Sequence, residues 1–445
     1  MKKVTIALIG AGSRGMESYG TYALKNPYEL EFVAVADANP ARLSKFQQLH
    51  HVPEERAFSD WRDLLSQPKL ADAVLICTQD RMHYEPAMAA LQAGYHVLLE
   101  KPMSPDPQEC VRMGAYAAEV GRVFSICHVL RFTSFFSALK RLLDEDAIGR
   151  LISIEHSENV AFWHYAHSYV RGNWRNTALS SPMILAKSCH DMDILLWLAG
   201  ADCVRLSSFG TLTHFREENA PPGAPMRCTD GCPAAHNCAY FAPKFYLNGD
   251  DAWPKSVISS DISDKGIMKA LEEGPYGRCV YHCDNDVVDH QVVNMLFAND
   301  ITAVFTMSAF TDDVTRKIKL MGTKGEMWGT MARETNRIEI KEFVSGTHKV
   351  IELPNEGGPQ GHGGGDYGII RDFLRLVRSD GRETGLTAAT TSVQSHLMAF
   401  AAEEARLKNS VIEMNEYGRR WGFERLAEAA QSTTTELDAA SLPNA

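Results

Sequence analysis

Short apolar runs alternate with longer amphipathic segments through the first third of the chain. Residues 4–9, 31–36, 73–77, 96–99 and 122–128 have the length and composition of buried strands. Between them, 40–50, 61–65, 85–93 and 105–120 have helical spacing. Strands that alternate with helices predict a parallel, doubly wound sheet, because each parallel neighbour has to be reached by a crossover. From about Gly149 the pattern changes. Residues 151–158, 204–212, 287–297, 301–310 and 315–321 alternate with period two, and helices no longer separate them consistently. That predicts an antiparallel sheet with one covered face.

The first strand empties into Gly10-Ala11-Gly12-Ser13-Arg14-Gly15, followed by a helical segment to about Lys25. This is G-x-G-x-x-G in the strand–turn–helix context of a Rossmann dinucleotide site. Gly10 allows the tight turn, Gly12 lets the backbone approach a pyrophosphate, and Gly15 lets helix and strand pack closely. The helix start, with Ser13 and Arg14 in it, offers amide donors and a positive dipole end to phosphates. The second strand ends at Asp37, where a carboxylate hydrogen-bonds ribose hydroxyls and repels a 2′-phosphate, so NAD is favoured over NADP. A helix cap before Pro40 is the alternative use of Asp37. Downstream, His96-Val97-Leu98-Leu99 runs into Glu100-Lys101-Pro102. A buried parallel strand of this kind delivers Glu100 and Lys101 to the crevice where open α/β sheets bind ligands. A lysine there can serve as proton donor or acceptor; a surface Glu-Lys pair is the plain alternative.

The glycine loop, the Cys77-Thr78-Gln79-Asp80 turn with His83 after it, Ala93-Gly94-Tyr95-His96-Val97 and above all Glu100-Lys101-Pro102 resemble the Gfo/Idh/MocA oxidoreductases. The resemblance implies an α/β protein: a Rossmann domain (1–128), then an α/β domain with an open antiparallel sheet (129–415), and a C-terminal extension (416–445). It implies oxidation or reduction of sugars, cyclitols and related polyols with NAD or NADP. Lys101 would be the catalytic lysine, Pro102 would follow a constrained peptide bond, and Thr78, Gln79, His83 and Glu100 would line the cofactor. Gly322-Thr323-Lys324-Gly325 matches a turn this family places between two sheet strands. Pairing through the broad sheet face would give a homo-oligomer, a dimer or tetramer.

Composition narrows the partners. With 45 basic and 56 acidic residues the net charge is −11, which implies no basic face for nucleic acid or an anionic membrane. No stretch is long and apolar enough to span a bilayer, and Gly10 and Gly12 interrupt the first apolar run too early for a secretory signal. A cytoplasmic protein is expected. From Ser432 onward the chain is polar, small and acidic, and reads as a disordered tail.

Two segments of the second domain carry chemistry. The stretch 163–176 holds His164, His167, Arg171, Trp174 and Arg175. Indole faces pack on the C–H face of a pyranose, and the polar groups supply directional bonds to hydroxyls. On one helical face, Arg171 and Arg175 would hold a carboxylate, phosphate or sulfonate. The second stretch, 181–197, carries His190 and Asp193. In the resembling family a histidine on this helix completes the catalytic site and follows an aspartate by four residues. His190 and Asp193 fit, but Ala186 stands at the upstream position with Lys187 beside it. A cation there would lower the Lys101 pKa or bind an anionic substrate group. Later, Gly361-His362-Gly363-Gly364-Gly365-Asp366 opens a helix, and Ser392 and His396 lie four apart on another. These resemble the glycoside-cleaving subset of the family and make His362, Ser392 and His396 candidates for substrate contact; a buried helix histidine is the alternative for His396.

Residues 217–286 form an insertion holding Cys228, Cys232, Cys238, Cys279 and Cys283, half of the ten cysteines. In a reducing compartment such clusters bind metal more often than they pair. Cys228, Cys232, Cys238 and Cys283 would suit a structural zinc site; disulfides and free thiols are the alternatives. The function expected is hydride transfer between NAD and a hydroxyl-bearing carbon of a sugar or sugar derivative. The alternative is an NAD-dependent glycoside hydrolase working by oxidation, elimination, hydration and re-reduction.

Overall fold

A computed structural model describes residues 2–248, 252–354 and 362–423. The first sheet contains β1 (Val4–Ile9), β2 (Leu30–Ala36), β3 (Ala57–Phe58), β4 (Ala73–Ile76), β5 (His96–Leu99) and β6 (Phe124–Ile126) in the order β3-β2-β1-β4-β5-β6. All five pairings are parallel. β4 and β5 are buried along their whole length because helices cover both faces, which is why they read as continuous apolar runs. The strand order reverses between β1 and β4, so the crevice at their carboxyl ends is the ligand-binding edge of this fold.

The second sheet has nine strands: β7 (Leu151–Asn159), β8 (Cys203–Thr211), β9 (His290–Phe297), β10 (Thr302–Ser308), β11 (Thr315–Gly322), β12 (Gly325–Met331), β13 (Asn336–Glu342), β14 (His348–Leu353) and β15 (Val411–Glu413). Their order is β14-β13-β12-β11-β7-β10-β9-β8-β15. The expected antiparallel pattern holds except between β7 and β10, which run parallel, so the sheet is mixed. β7 inserts between β10 and β11, and a strand placed between antiparallel neighbours' partners cannot oppose both.

One apolar core spans both sheets, joining Leu99 and Met103 to Ile154, Ile194 and Leu397. A second core sits on the other face of the parallel sheet and includes Ile369, Ile370 and Phe373 of helix Gly365–Arg378. That helix follows β14 of the second sheet in sequence yet packs on the first sheet. Its start therefore reaches the glycine loop from residues more than 300 positions away, an approach no local pattern announces.

The insertion folds around its own small core of Cys228, Ala242, Tyr246, Ile267, Leu271 and Tyr276. All ten cysteines are free, and among the described residues no group of three or more His, Cys, Asp or Glu is arranged to hold a metal ion. At the expected zinc site of Cys228, Cys232, Cys238 and Cys283, Cys228 lies 3.6 Å from the Arg171 guanidinium, and the Cys283 thiol bonds the Cys279 carbonyl at 3.3 Å. Among the described residues no helix is long and apolar enough to cross a membrane. Helix Met414–Trp421 begins the expected C-terminal extension and buries Met414 and Tyr417; the tail from Ser432 lies outside the described residues.

Candidate active site

The glycine turn has the shape a pyrophosphate requires. Gly10 has φ +93°, and a Cβ there would meet the Cys77 backbone at 2.7 Å; one on Gly15 would meet the Gly10 carbonyl at 2.3 Å. At Gly12 nothing lies within 4 Å, so the backbone is open on the side facing the crevice. The residues present fit a dinucleotide. Asp37 closes the turn, its Oδ2 accepting from the Ala11 amide at 2.7 Å and its Oδ1 from the Asn39 amide and the Arg42 guanidinium. Ser13 is spent within the first turn on Glu17. Thr78 and Gln79 stand at the carboxyl end of β4, both on the crevice side of the sheet edge.

Lys101 follows β5 at the same edge, and the Lys101–Pro102 peptide bond is cis. Its Nζ donates to the Ala186 carbonyl at 2.8 Å. The residue that replaces the family's upstream aspartate therefore contributes a backbone acceptor. A layer of polar groups holds this lysine from beneath. Glu100 accepts from Arg14 Nε and the Tyr19 hydroxyl, each at 2.6 Å, and from the Lys101 amide at 3.0 Å. Burial alone would raise the Glu100 pKa, but Arg14 and the Tyr19 hydroxyl more than offset it and the carboxyl is held below its ordinary value. The two ring nitrogens of His83 lie 2.6 Å from the Pro102 carbonyl and 3.0 Å from that of Thr78. His396 Nε2 accepts from the Met103 amide at 2.9 Å, and its Nδ1 donates to the Ser392 carbonyl at 2.7 Å.

The Arg14 side chain, Glu100 and His83 are expected at the cofactor, and Ser392 and His396 at the substrate. In the structure their polar atoms bond neighbouring side chains and backbone. The same is true of the 163–176 stretch. Helical structure ends at Arg171, before Arg175, so the two arginines share no face. Arg171 is buried and donates to the Arg278 and Tyr240 carbonyls at 2.8 and 2.7 Å, which ties down the insertion. Arg175 forms a two-pronged pair with Asp284. His167 bonds the Tyr246 hydroxyl at 2.7 Å and stacks on Tyr276. Trp174 donates to Asp80 Oδ1 at 3.1 Å, and Ser180 and Ser181 bond Asp80 Oδ2. Asp80 is thus a buried link between the cofactor-side turn and the loop leading to His190. The sequence carried no signal for it, since its partners lie about a hundred positions downstream.

His190 and Lys187 lie close enough to Lys101 to feel its charge, and His164 and His362 lie near Lys187 in turn. The segment 181–197 is broken into helices Met183–Ala186 and Cys189–Ala199, with Lys187 in the break and His190 in the first turn after it. His190 is buried, its Nδ1 has no hydrogen-bond partner, and its ring lies 5.9 Å from His128 and 6.1 Å from His362. Burial first, then the Lys101 charge, hold it well below the ordinary histidine range, so it is neutral at pH 7. His164 is likewise lowered by burial and by Lys187, and its Nδ1 is also unpartnered. Lys187 pairs with Glu158 at 3.1 Å, and Arg316 bonds both Glu158 (2.6 Å) and Asp191 (2.9 Å). Burial lowers the Lys187 pKa against the opposing pull of Glu158. Asp193, the expected companion of His190, is instead a bidentate partner of Arg131 at 2.7 Å.

Comparison with known proteins agrees with the fold. Residues 4–128 match the family model described as "Oxidoreductase family, NAD-binding Rossmann fold", and residues 136–328 match the "GFO/IDH/MocA C-terminal domain". The chain is 25% identical over 364 residues to YteT of Bacillus subtilis (strain 168), covering 77% of this chain and 82% of that one. It is 30% identical over 146 residues to D-glucoside 3-dehydrogenase of Escherichia coli (strain K12), 33% of this chain and 40% of the relative. The fold matches scyllo-inositol dehydrogenase from Lactobacillus casei, solved with NAD(H) and scyllo-inositol, with a TM-score of 0.64 at 19% identity over 93% of this chain and 100% of that one.

Proposed function

Because the chain belongs to the GFO/IDH/MocA family of oxidoreductases, we propose that it transfers hydride between NAD and a hydroxyl-bearing carbon of a sugar, sugar derivative or cyclitol. The observation that carries this is the meeting of the open glycine turn, Asp37 and Lys101 at one sheet edge, with the lysine amine anchored to the segment that presents His190. Bound nicotinamide supplies the hydride acceptor. Gly12 and the amides after it would hold the pyrophosphate, and Asp37 the ribose hydroxyls, which favours NAD over NADP. Lys101 takes the hydroxyl proton as the carbon is oxidised. Neutral His190 donates its N–H to the oxygen of the same hydroxyl, which leaves the hydroxyl proton aimed at the amine. His164 and Lys187 line the substrate side.

The supply of neutral histidines beyond Lys101 supports a second reading, glycoside cleavage through transient oxidation, which needs more acid–base groups than a simple dehydrogenase. Incubation with NAD and a panel of glycosides, free sugars and cyclitols separates the two. NADH in step with substrate consumption supports the dehydrogenase; free sugar without net NADH supports cleavage. Neither event in a protein that binds NADH removes both.

A further inference from the structure

The pattern of the chain puts an anion site at Arg171 and Arg175, and the structure spends both on the insertion. The other guanidiniums of this region are spent too: Arg14 on Glu100 and Asp366, Arg131 on Asp193, and Arg316 on Glu158 and Asp191. Lys187 is different. It adjoins Ala186, whose carbonyl accepts from the Lys101 amine at 2.8 Å. Its own amine lies 3.1 Å from Glu158 Oε1, its one polar contact among the described residues, so two of its three N–H donors are unmet. The Lys187 side chain is 13% exposed and that of Glu158 0%, so the site presents the ammonium and hides the carboxylate. Glu158 lies opposite Arg316 in the β7–β11 register, and Arg316 is shared with Asp191. One guanidinium cannot neutralise two buried carboxylates, so Lys187 is held in its charged form. The supporting carboxylates, Glu100, Glu158, Asp191, Asp193 and Asp366, are all buried. The charge they leave toward the substrate is positive.

We propose that Lys187 binds a carboxylate of the substrate, so that the sugar taken is a uronic acid or another carboxylate-bearing sugar rather than a neutral one. The assignment rests on the hydride-transfer reading above and narrows its substrate. The carboxylate accepts from the unmet N–H donors of Lys187 while the hydroxyl to be oxidised meets Lys101. Ala186, bonded to one lysine and adjoining the other in the chain, sets the spacing between these two points. With Glu158 already on the amine, Lys187 has room for one further negative charge. A phosphate dianion draws several donors and favours the planar fork of arginine, and the arginines named above are all engaged, so a singly charged carboxylate is the better match. The pair forms away from bulk water, where the attraction is stronger than at an open surface.

The test compares the methyl glycosides of glucuronic, galacturonic and mannuronic acid with those of glucose, galactose and mannose, using full-length protein and NAD, with NADH followed by absorbance. In the wild type, kcat/KM for at least one uronide is expected to exceed that of its neutral parent by about 10- to 10²-fold. Lys187→Met/Glu158→Gln removes the amine together with its buried partner, so no carboxylate is left unpaired, and is expected to bring that ratio to about one or below. Lys187→Arg keeps the charge and should retain most of the preference. Titration of the NADH complex with the uronide, read by nicotinamide fluorescence, should show the same loss in the double variant and a weakening in the wild type as salt is raised. A preference for neutral glycosides, or a uronide preference unchanged in the double variant, overturns the carboxylate assignment and leaves hydride transfer standing. NADH from no probe overturns the hydride-transfer reading. In that event uronide binding lost in the double variant supports the assignment, and binding retained there or absent from the wild type overturns it.

Discussion

The layer beneath Lys101 and the face around its amine use the same residue types in opposite ways. Beneath, His83 and His396 have both ring nitrogens committed to backbone atoms, and Glu100 has three donors on its two oxygens. On the face, His164 and His190 each bury an Nδ1 that bonds nothing within the protein. An imidazole with a donor on one nitrogen and an acceptor on the other, as His396 has, is fixed in its tautomer and cannot take a proton without breaking a contact. One with a spare lone pair can hold a substrate hydroxyl or carry its proton. The difference teaches that burial alone says little about a histidine's part; which of its ring nitrogens are engaged has to be read beside it.

That contrast can be broken or sharpened by experiment. The largest effect is expected from Lys101→Ala, which should lower turnover on the order of 10³-fold while NADH affinity, read by fluorescence titration, stays within about twofold. Normal turnover would leave the face without its proton carrier and end the assignment. Next, His396→Ala and His190→Asn should separate stability from catalysis. His396→Ala leaves the buried Met103 amide without its acceptor and should lower the unfolding free energy by roughly 1–3 kcal/mol in urea titration. His190→Asn should stay within about 1 kcal/mol of wild type yet lose about 10²-fold in turnover. Equal stability losses would erase the distinction between the two layers.

A further expected effect is in pH dependence. Burial pushes His396 down to about 3, with His128 adding to it, and burial pushes His128 down to about 4. Both are neutral in the folded protein at pH values where the unfolded chain, titrating near 6.5, already binds protons. Their stabilising contribution is complete above about pH 6.5 and is lost as pH falls toward 4, by about 1.4 kcal/mol per pH unit for each histidine. His396→Gln should flatten the stability profile over that window by about that amount, measured by urea titration at a series of pH values. An unchanged slope would mean that His396 titrates normally when folded.

Much of the architecture was legible in the chain because local pattern and tertiary role agree. Residues 4–9 and 96–99 read as buried parallel strands because β1 and β5 are covered on both faces, and period-two runs such as 302–308 read as sheet because one face meets the core. The parallel β7–β10 pairing was not legible, since alternation records which face is buried and not which neighbour a strand chooses. In the proposed site, Gly10, Gly12, Gly15, Asp37 and Lys101 could be picked out in the sequence because each is marked by a glycine turn or by its place at a strand end. Arg171, Arg175, His167, Ser392 and His396 could not be separated from true site residues, because their partners come from the insertion and from turns far along the chain.

By itself the sequence determined where a dinucleotide turn, a strand-end lysine and a chemically rich second domain lie, since these follow from periodicity and from glycine's conformational freedom. Only the tertiary structure decided which polar side chains remain available for chemistry. Whether a histidine or arginine is spent on its neighbours depends on groups that folding brings together from distant positions, as Glu158 and Arg316 are brought to Lys187.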